Sequence, residues 1–144
     1  MATTDDELLA LADKYSLTVC GIHTKDRLPR VLGDGFYIFN IGSASSGGTH
    51  WTAALKRSNR VSVYFDSFGA PPPVEIESRL KDYCFNNWVI QDTHSQTCGQ
   101  FVIAFGMHMS HWSHGDILEW ANKFINKFGE NTKENQAILA RLRL

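Results

Sequence analysis

Residues Thr49 to Asp66 read T-H-W-T-A-A-L-K-R-S-N-R-V-S-V-Y-F-D, and their patterning decides what kind of sheet this chain builds. Apolar and β-branched residues gather in Thr49 to Leu55 and again in Val61 to Asp66, while the intervening Lys56 to Arg60 is entirely polar. Two such runs around a short polar turn predict an antiparallel hairpin. His50 stands at the start of the first strand, with Trp51 on the opposite face. A turn centred near Ser58 puts His50 and Asp66 opposite one another, at the same end of the two strands. A carboxylate so placed accepts an imidazole N–H, sets the tautomer and stabilises the cation. Each residue also has a plainer reading, His50 as a structural histidine and Asp66 as a turn residue before Ser67-Phe68-Gly69.

Upstream, Gly35 to Ile41 (G-F-Y-I-F-N-I) is a β-branched and aromatic run that predicts a buried strand. Between it and the hairpin, Gly42 to Gly48 (G-S-A-S-S-G-G) has linker composition and makes either a strand connection or the rim of a cleft. No Gly-Lys-Ser/Thr follows, so it is not a phosphate-binding loop. Thr4 and Glu7 form a capping-box pattern ahead of Leu8, Leu9, Leu11 and Ala12, which predicts a short first helix ending near Tyr15. Cys20 to Pro29 reads as a polar loop, with Cys20 and His23 too isolated from further ligands to favour a metal.

Downstream, Pro71-Pro72-Pro73 prepares a helix over roughly Val74 to Cys84, and Asn86 to Gln91 reads as a further strand-like piece that delivers Gln91 at its end. The next stretch, Gln91 to Phe101 (Q-D-T-H-S-Q-T-C-G-Q-F), opens an apolar helix with Cys98 in its first turn and Thr97 as its cap. The helix dipole and first-turn N–H groups favour a thiolate there, and a nearby histidinium would favour it further. The Cys98 N–H and the Gln91 side chain are candidate donors to a developing oxyanion, and Gly99 allows close approach of a substrate. Gly48 and Trp51 are candidates for the border of that cleft, Trp51 being equally suited to the core. A buried structural cysteine that happens to begin a helix is the plain alternative for Cys98.

The Cys98 helix should run to about Ser110, followed by helices over Asp116 to Phe128 and Thr132 to Leu144. His108, His111 and His114 recur every three residues, but outer imidazoles six apart diverge on a helix, so no metal site is expected. Lys123, Lys127, Lys133, Arg141 and Arg143 read as a solvated helix face, with nucleic-acid binding as a minor alternative.

These elements make an α+β chain with a small, mostly antiparallel sheet flanked by helices, in a single domain over residues 1–144. A length of 144 residues with 43% hydrophobic and 20% charged residues is enough for a core without staples. The net charge of −1 gives no global drive toward nucleic acid or anionic membrane. Three cysteines point to unpaired thiols in a reducing compartment, and neither a signal peptide nor a membrane span is evident.

Three fragments together carry a resemblance. Gly48-Thr49-His50-Trp51, then Tyr64-Phe65-Asp66-Ser67-Phe68-Gly69, then Gln91 seven residues before Cys98-Gly99-Gln100-Phe101, are similar to the adenovirus-type cysteine endopeptidase (adenain) family. The order His, acid, Gln, Cys is shared by the wider clan of SUMO- and ubiquitin-like-modifier proteases. The likeness runs from about Cys20 to Trp112, specific in these fragments and loose elsewhere. It implies an adenain-like protease fold, with Cys98 as nucleophile, His50 as general base and acid, Asp66 orienting His50, and Gln91 with the Cys98 N–H as oxyanion hole. It further implies a viral thiol protease without a cofactor, acting in the virion or at the host-cell site of assembly. Its substrates would be capsid and other virion precursor proteins, cut at Gly-containing sites.

Two departures qualify the match. The acid is Asp where the adenovirus enzymes carry Glu, and much of their C-terminal extension is missing, so neither a disulfide-linked peptide activator nor DNA is assigned. Cys84 does not match the spacing of an activator cysteine and reads as a core or helix-end thiol. The smaller size resembles virophage or polinton-like relatives. A modifier-deconjugating protease and a non-catalytic interaction module on the same fold are the alternatives.

Overall fold

The computed structural model describes residues 4–42, 50–92 and 97–142. Over the described residues the chain is α+β, a five-stranded mixed sheet with five α-helices. Helix α1 (Asp5–Lys14) is followed by β1 (Gly21–Thr24), a 3-10 turn (Lys25–Arg27), β2 (Gly35–Asn40), β3 (Trp51–Lys56) and β4 (Ser62–Phe65). Then come α2 (Val74–Leu80), β5 (Tyr83–Phe85), α3 (Cys98–Ser110), α4 (Ile117–Ile125) and α5 (Thr132–Arg141). Strand order follows chain order from β1 to β5.

The central hairpin forms as its patterning predicts, with β3 antiparallel to both β2 and β4. The sheet is not mostly antiparallel, because β1 pairs parallel to β2 and β5 parallel to β4. Both outer strands are short pieces that local composition hides. Residues within the expected Cys20–Pro29 loop form β1, whose polar His23 and Thr24 are only half-buried at the sheet edge. The expected helix from Val74 stops at Leu80, where Lys81 takes a left-handed φ of 64° that an α-helix cannot continue. Tyr83 and Cys84 therefore stand on β5 rather than on a helix, and α2 is the crossover that parallel pairing of β4 and β5 requires. Residues 86–92 contain no strand.

Side-chain alternation sorts the core into two layers. Phe36, Ile38, Trp51, Ala53, Val63 and Phe65 face α1, α3, α4 and α5, whereas Tyr37, Phe39, Ala54 and Tyr64 face Ile76 and Leu80 of α2. Helix α3 is buried almost all round, with Phe101, Val102 and Ile103 fully enclosed, which is why its sequence is apolar without a polar stripe. Phe105 of α3 stacks on Phe65 of β4 at 4.9 Å. That packing sets the N-terminus of α3 against the hairpin end where His50 and Asp66 lie. Helix α1 begins as expected, Thr4 Oγ1 accepting the Glu7 N–H at 3.2 Å and donating to the Glu7 carboxylate at 3.1 Å.

Candidate active site

The hairpin register departs by one residue from the expected turn centre. Ala53 pairs with Phe65, Ala54 with Tyr64 and Leu55 with Val63, so the turn centres on Asn59, which takes a left-handed φ of 60°. Continued outward, this register puts Thr52 opposite Asp66 and leaves His50 as Asp66's diagonal neighbour. Diagonal positions on one face remain within reach of long side chains. His50 Nε2 lies 2.7 Å from Asp66 Oδ1. The His50 backbone is tied to β2 by its carbonyl, which accepts the Ile41 N–H at 3.0 Å, and its ring stacks on Phe68 at 4.4 Å and 19°.

Asp66 is held at every polar atom for which a partner is described. Its Oδ1 also accepts the Phe68 N–H at 2.8 Å, the side-chain-to-backbone bond typical of an Asx-turn. Its backbone N–H donates to Asn86 Oδ1 at 3.0 Å, and Asn86 Nδ2 returns a bond to the Asp66 carbonyl at 2.5 Å. The carboxylate thus cannot swing away from His50 without breaking a buried network, Asp66 being 1% exposed.

Cys98 opens α3 and is 7% exposed. Its Sγ accepts the Trp51 N–H at 3.5 Å. The His50 ring is also hydrogen-bonded to the Cys98 side chain. Burial pulls the His50 imidazole down, but hydrogen bonds to Asp66 and to Cys98, with the negative charges of both, outweigh it and raise His50 to about 9. An imidazole in that range is a cation at neutral pH. The three residues, remote in sequence, therefore form an acid–imidazolium–sulfur chain suited to nucleophilic catalysis.

Gln91 is fully buried and is brought to the same place by Ser67, the residue after Asp66. The Ser67 carbonyl accepts both the Ile90 and Gln91 N–H groups at 2.8 and 3.0 Å, and the Ser67 hydroxyl donates to Gln91 Oε1 at 2.5 Å. With its oxygen so engaged, the NH2 is the amide's remaining polar group, and it can only donate. Asn135 of α5 braces the segment from behind, donating to the Ile90 carbonyl at 3.0 Å.

Other sequence candidates fall out differently. The Trp51 ring is 2% exposed and packs in the core, so this residue meets the site through its backbone N–H. Gly99 is buried in the first turn of α3, and Gly48 lies outside the described residues. Thr97 does not cap α3 through its side chain, its hydroxyl donating instead to Gln136 Oε1 at 2.9 Å. His108 stacks on Trp120 at 4.4 Å and its Nε2 engages the Trp120 carbonyl, while His111 Nδ1 engages the Met107 carbonyl at 2.7 Å. Among the described residues no three His, Cys, Asp or Glu side chains are grouped to hold a metal. None of the three cysteines is in a disulfide, and burial pushes the Cys84 thiol up. No helix among the described residues is long and apolar enough to cross a membrane.

Sequence reasoning missed Asn86, Phe68, Ser67 and Asn135. An Asn or Ser buried beside a candidate acid is legible only once the loops are folded, since isolated polar residues in a turn read as solvent-facing. No protein-family model matches the chain, and no curated protein matches it.

Proposed function

We propose that this chain is a cysteine endopeptidase that cleaves peptide bonds through Cys98, His50 and Asp66. One observation carries the reading: His50 bonds Asp66 and Cys98 together and is raised to about 9 by them. In the proposed reaction the Cys98 thiolate attacks the scissile carbonyl carbon, forming a C–S bond and a tetrahedral oxyanion. The His50 imidazolium gives its proton to the leaving amine as the C–N bond breaks. Neutral His50 then takes a proton from water, whose oxygen displaces the thiolate and releases the acid. The Gln91 amide and the Cys98 N–H are the proposed oxyanion donors, and the Trp51 N–H steadies the sulfur's negative charge.

The substrate class rests on the adenain-like fragments around His50, Asp66 and Cys98, and we assign virion precursor proteins cut at Gly-containing sites. A second reading, a ubiquitin-like-modifier deconjugating protease, draws on Asp66 standing where the adenovirus enzymes carry Glu. Purified chain incubated with capsid-precursor peptides and, separately, with ubiquitin or SUMO fusions distinguishes the two by which set is cut. Cys98→Ala should abolish cleavage with an unchanged circular dichroism spectrum. Cleavage retained in that variant contradicts the assignment.

A further inference from the structure

A concentration of positive charge lies at the other end of the hairpin. A cavity of about 500 Å³ is lined by Arg30, Lys56, Arg57, Arg60, Arg79 and Lys81, with Asp82 its one acidic lining residue. These are six of the 14 Lys and Arg residues of a chain whose net charge is −1. β3 runs from Trp51 beside Cys98 to Lys56 at the cavity, roughly 17 Å by strand rise, so the two sites are separate.

None of the six cations is ion-paired with a carboxylate among the described residues, where the one ion pair is His50–Asp66. Two are fixed by neutral groups. Arg79 donates to the Pro29 and Glu75 carbonyls, each at 3.1 Å, and to the Ser78 hydroxyl, while Arg57 lies over the Trp112 ring at 5.3 Å and donates to the Val61 carbonyl at 3.4 Å. Lys56 is only 6% exposed, yet it lines the cavity. Lys81 holds its place with a left-handed φ of 64°, where glycine would be easier. Asp34 accepts the Ser58 hydroxyl and N–H at 2.5 and 2.7 Å, and its carboxylate offsets part of the charge of Lys56 and Arg57 without an ion pair to either.

We propose that this cavity binds a compact polyphosphate anion. Three separate elements converge on it: the segment after the 3-10 turn, the β3–β4 turn and the C-terminal end of α2. The volume falls in the range that encloses a small molecule rather than tracking an extended strand. Guanidinium forks recognise phosphate oxygens in pairs, and Lys56 and Lys81 add point charges. Four arginines around one concave, solvent-open volume suit several phosphates held close together. A single phosphate or carboxylate would leave most of the charge unmatched.

The test is calorimetric titration of the full chain with inorganic tripolyphosphate. Saturable one-to-one binding is expected, weakening as salt rises. The double variant Arg30→Ala/Arg60→Ala, both sites exposed, should lose about tenfold or more in affinity. Lys56→Met, which keeps the buried stem, should lose affinity with an unchanged circular dichroism spectrum. Lys123→Ala/Lys127→Ala, on α4 and the turn that follows it, should bind as wild type. Absence of saturable binding, or an equal loss in the Lys123→Ala/Lys127→Ala variant, overturns the proposal. A short DNA duplex that binds more tightly than tripolyphosphate and is lost in the same double variant reassigns the cavity to nucleic acid and overturns it too.

Discussion

At His50 the competition between burial and charge is won by charge. The free histidine range lies near 6.5, and the folded value of about 9 means the proton is held more tightly in the folded chain. The stabilisation is therefore fully present below pH 6.5 and is lost as pH rises through about 9. Thermal melts of wild type and His50→Gln should differ most below pH 6.5 and converge above about 9. Asp66→Asn removes the strongest support, so the alkaline limb of kcat/KM should move toward the ordinary imidazole range; a limb left in place would show that Asp66 does not set it. Gln91→Ala should lower kcat by about 10²–10³ while leaving Cys98 alkylation unchanged, because an oxyanion donor acts only when the carbonyl carbon is tetrahedral. The candidate residues were legible because three fragments, around His50, Asp66 and Gln91–Cys98, match one pattern together; Cys98 or His50 taken alone reads as well as a structural residue. Asn86 was not legible, since its value lies in pairing with both backbone groups of Asp66. Asn86→Ala leaves those buried groups unpaired and should cost about 2–4 kcal/mol in a denaturant titration.

At the scale of elements, the turn after β4 governs the site. Gly69 donates to the Asp66 carbonyl at 2.8 Å and has a φ of 74°, and a Cβ added there would lie 2.6 Å from the Trp88 backbone. Gly69→Ala thus adds both strain and a backbone clash. About 2–3 kcal/mol of stability should be lost, with Cys98 reactivity falling as Asp66 and Phe68 shift. Wild-type stability in that variant would show that the turn relaxes at little cost. The long elements were readable from periodicity: β2, β3, β4 and α3 begin and end within a residue or two of expectation. The outer strands were not. Tyr83 and Cys84 extend the helical spacing of α2, and only the backbone reversal at Lys81 separates them from it. Parallel edge strands of three or four residues are defined by their partners, and hydrophobic alternation cannot reveal them.

Across the whole molecule, the apolar helix α3 seats the cysteine against the β3–β4 hairpin, and one end of that hairpin carries the imidazole and the acid. Fold and site are coupled through Phe65 and Phe105, whose stacking at 4.9 Å fixes the distance between helix and sheet. The central claim is a sulfur–imidazolium pair at Cys98 and His50. Its most direct test is the rate of iodoacetamide alkylation of each cysteine against pH, followed by peptide mass mapping in wild type and His50→Ala. Cys98 should react at about pH 6, ahead of the exposed Cys20 and the half-buried Cys84, and His50→Ala should slow it by about tenfold or more. A Cys98 that reacts no faster than Cys20 at that pH, and is indifferent to His50→Ala, would contradict the pair and the catalytic reading with it.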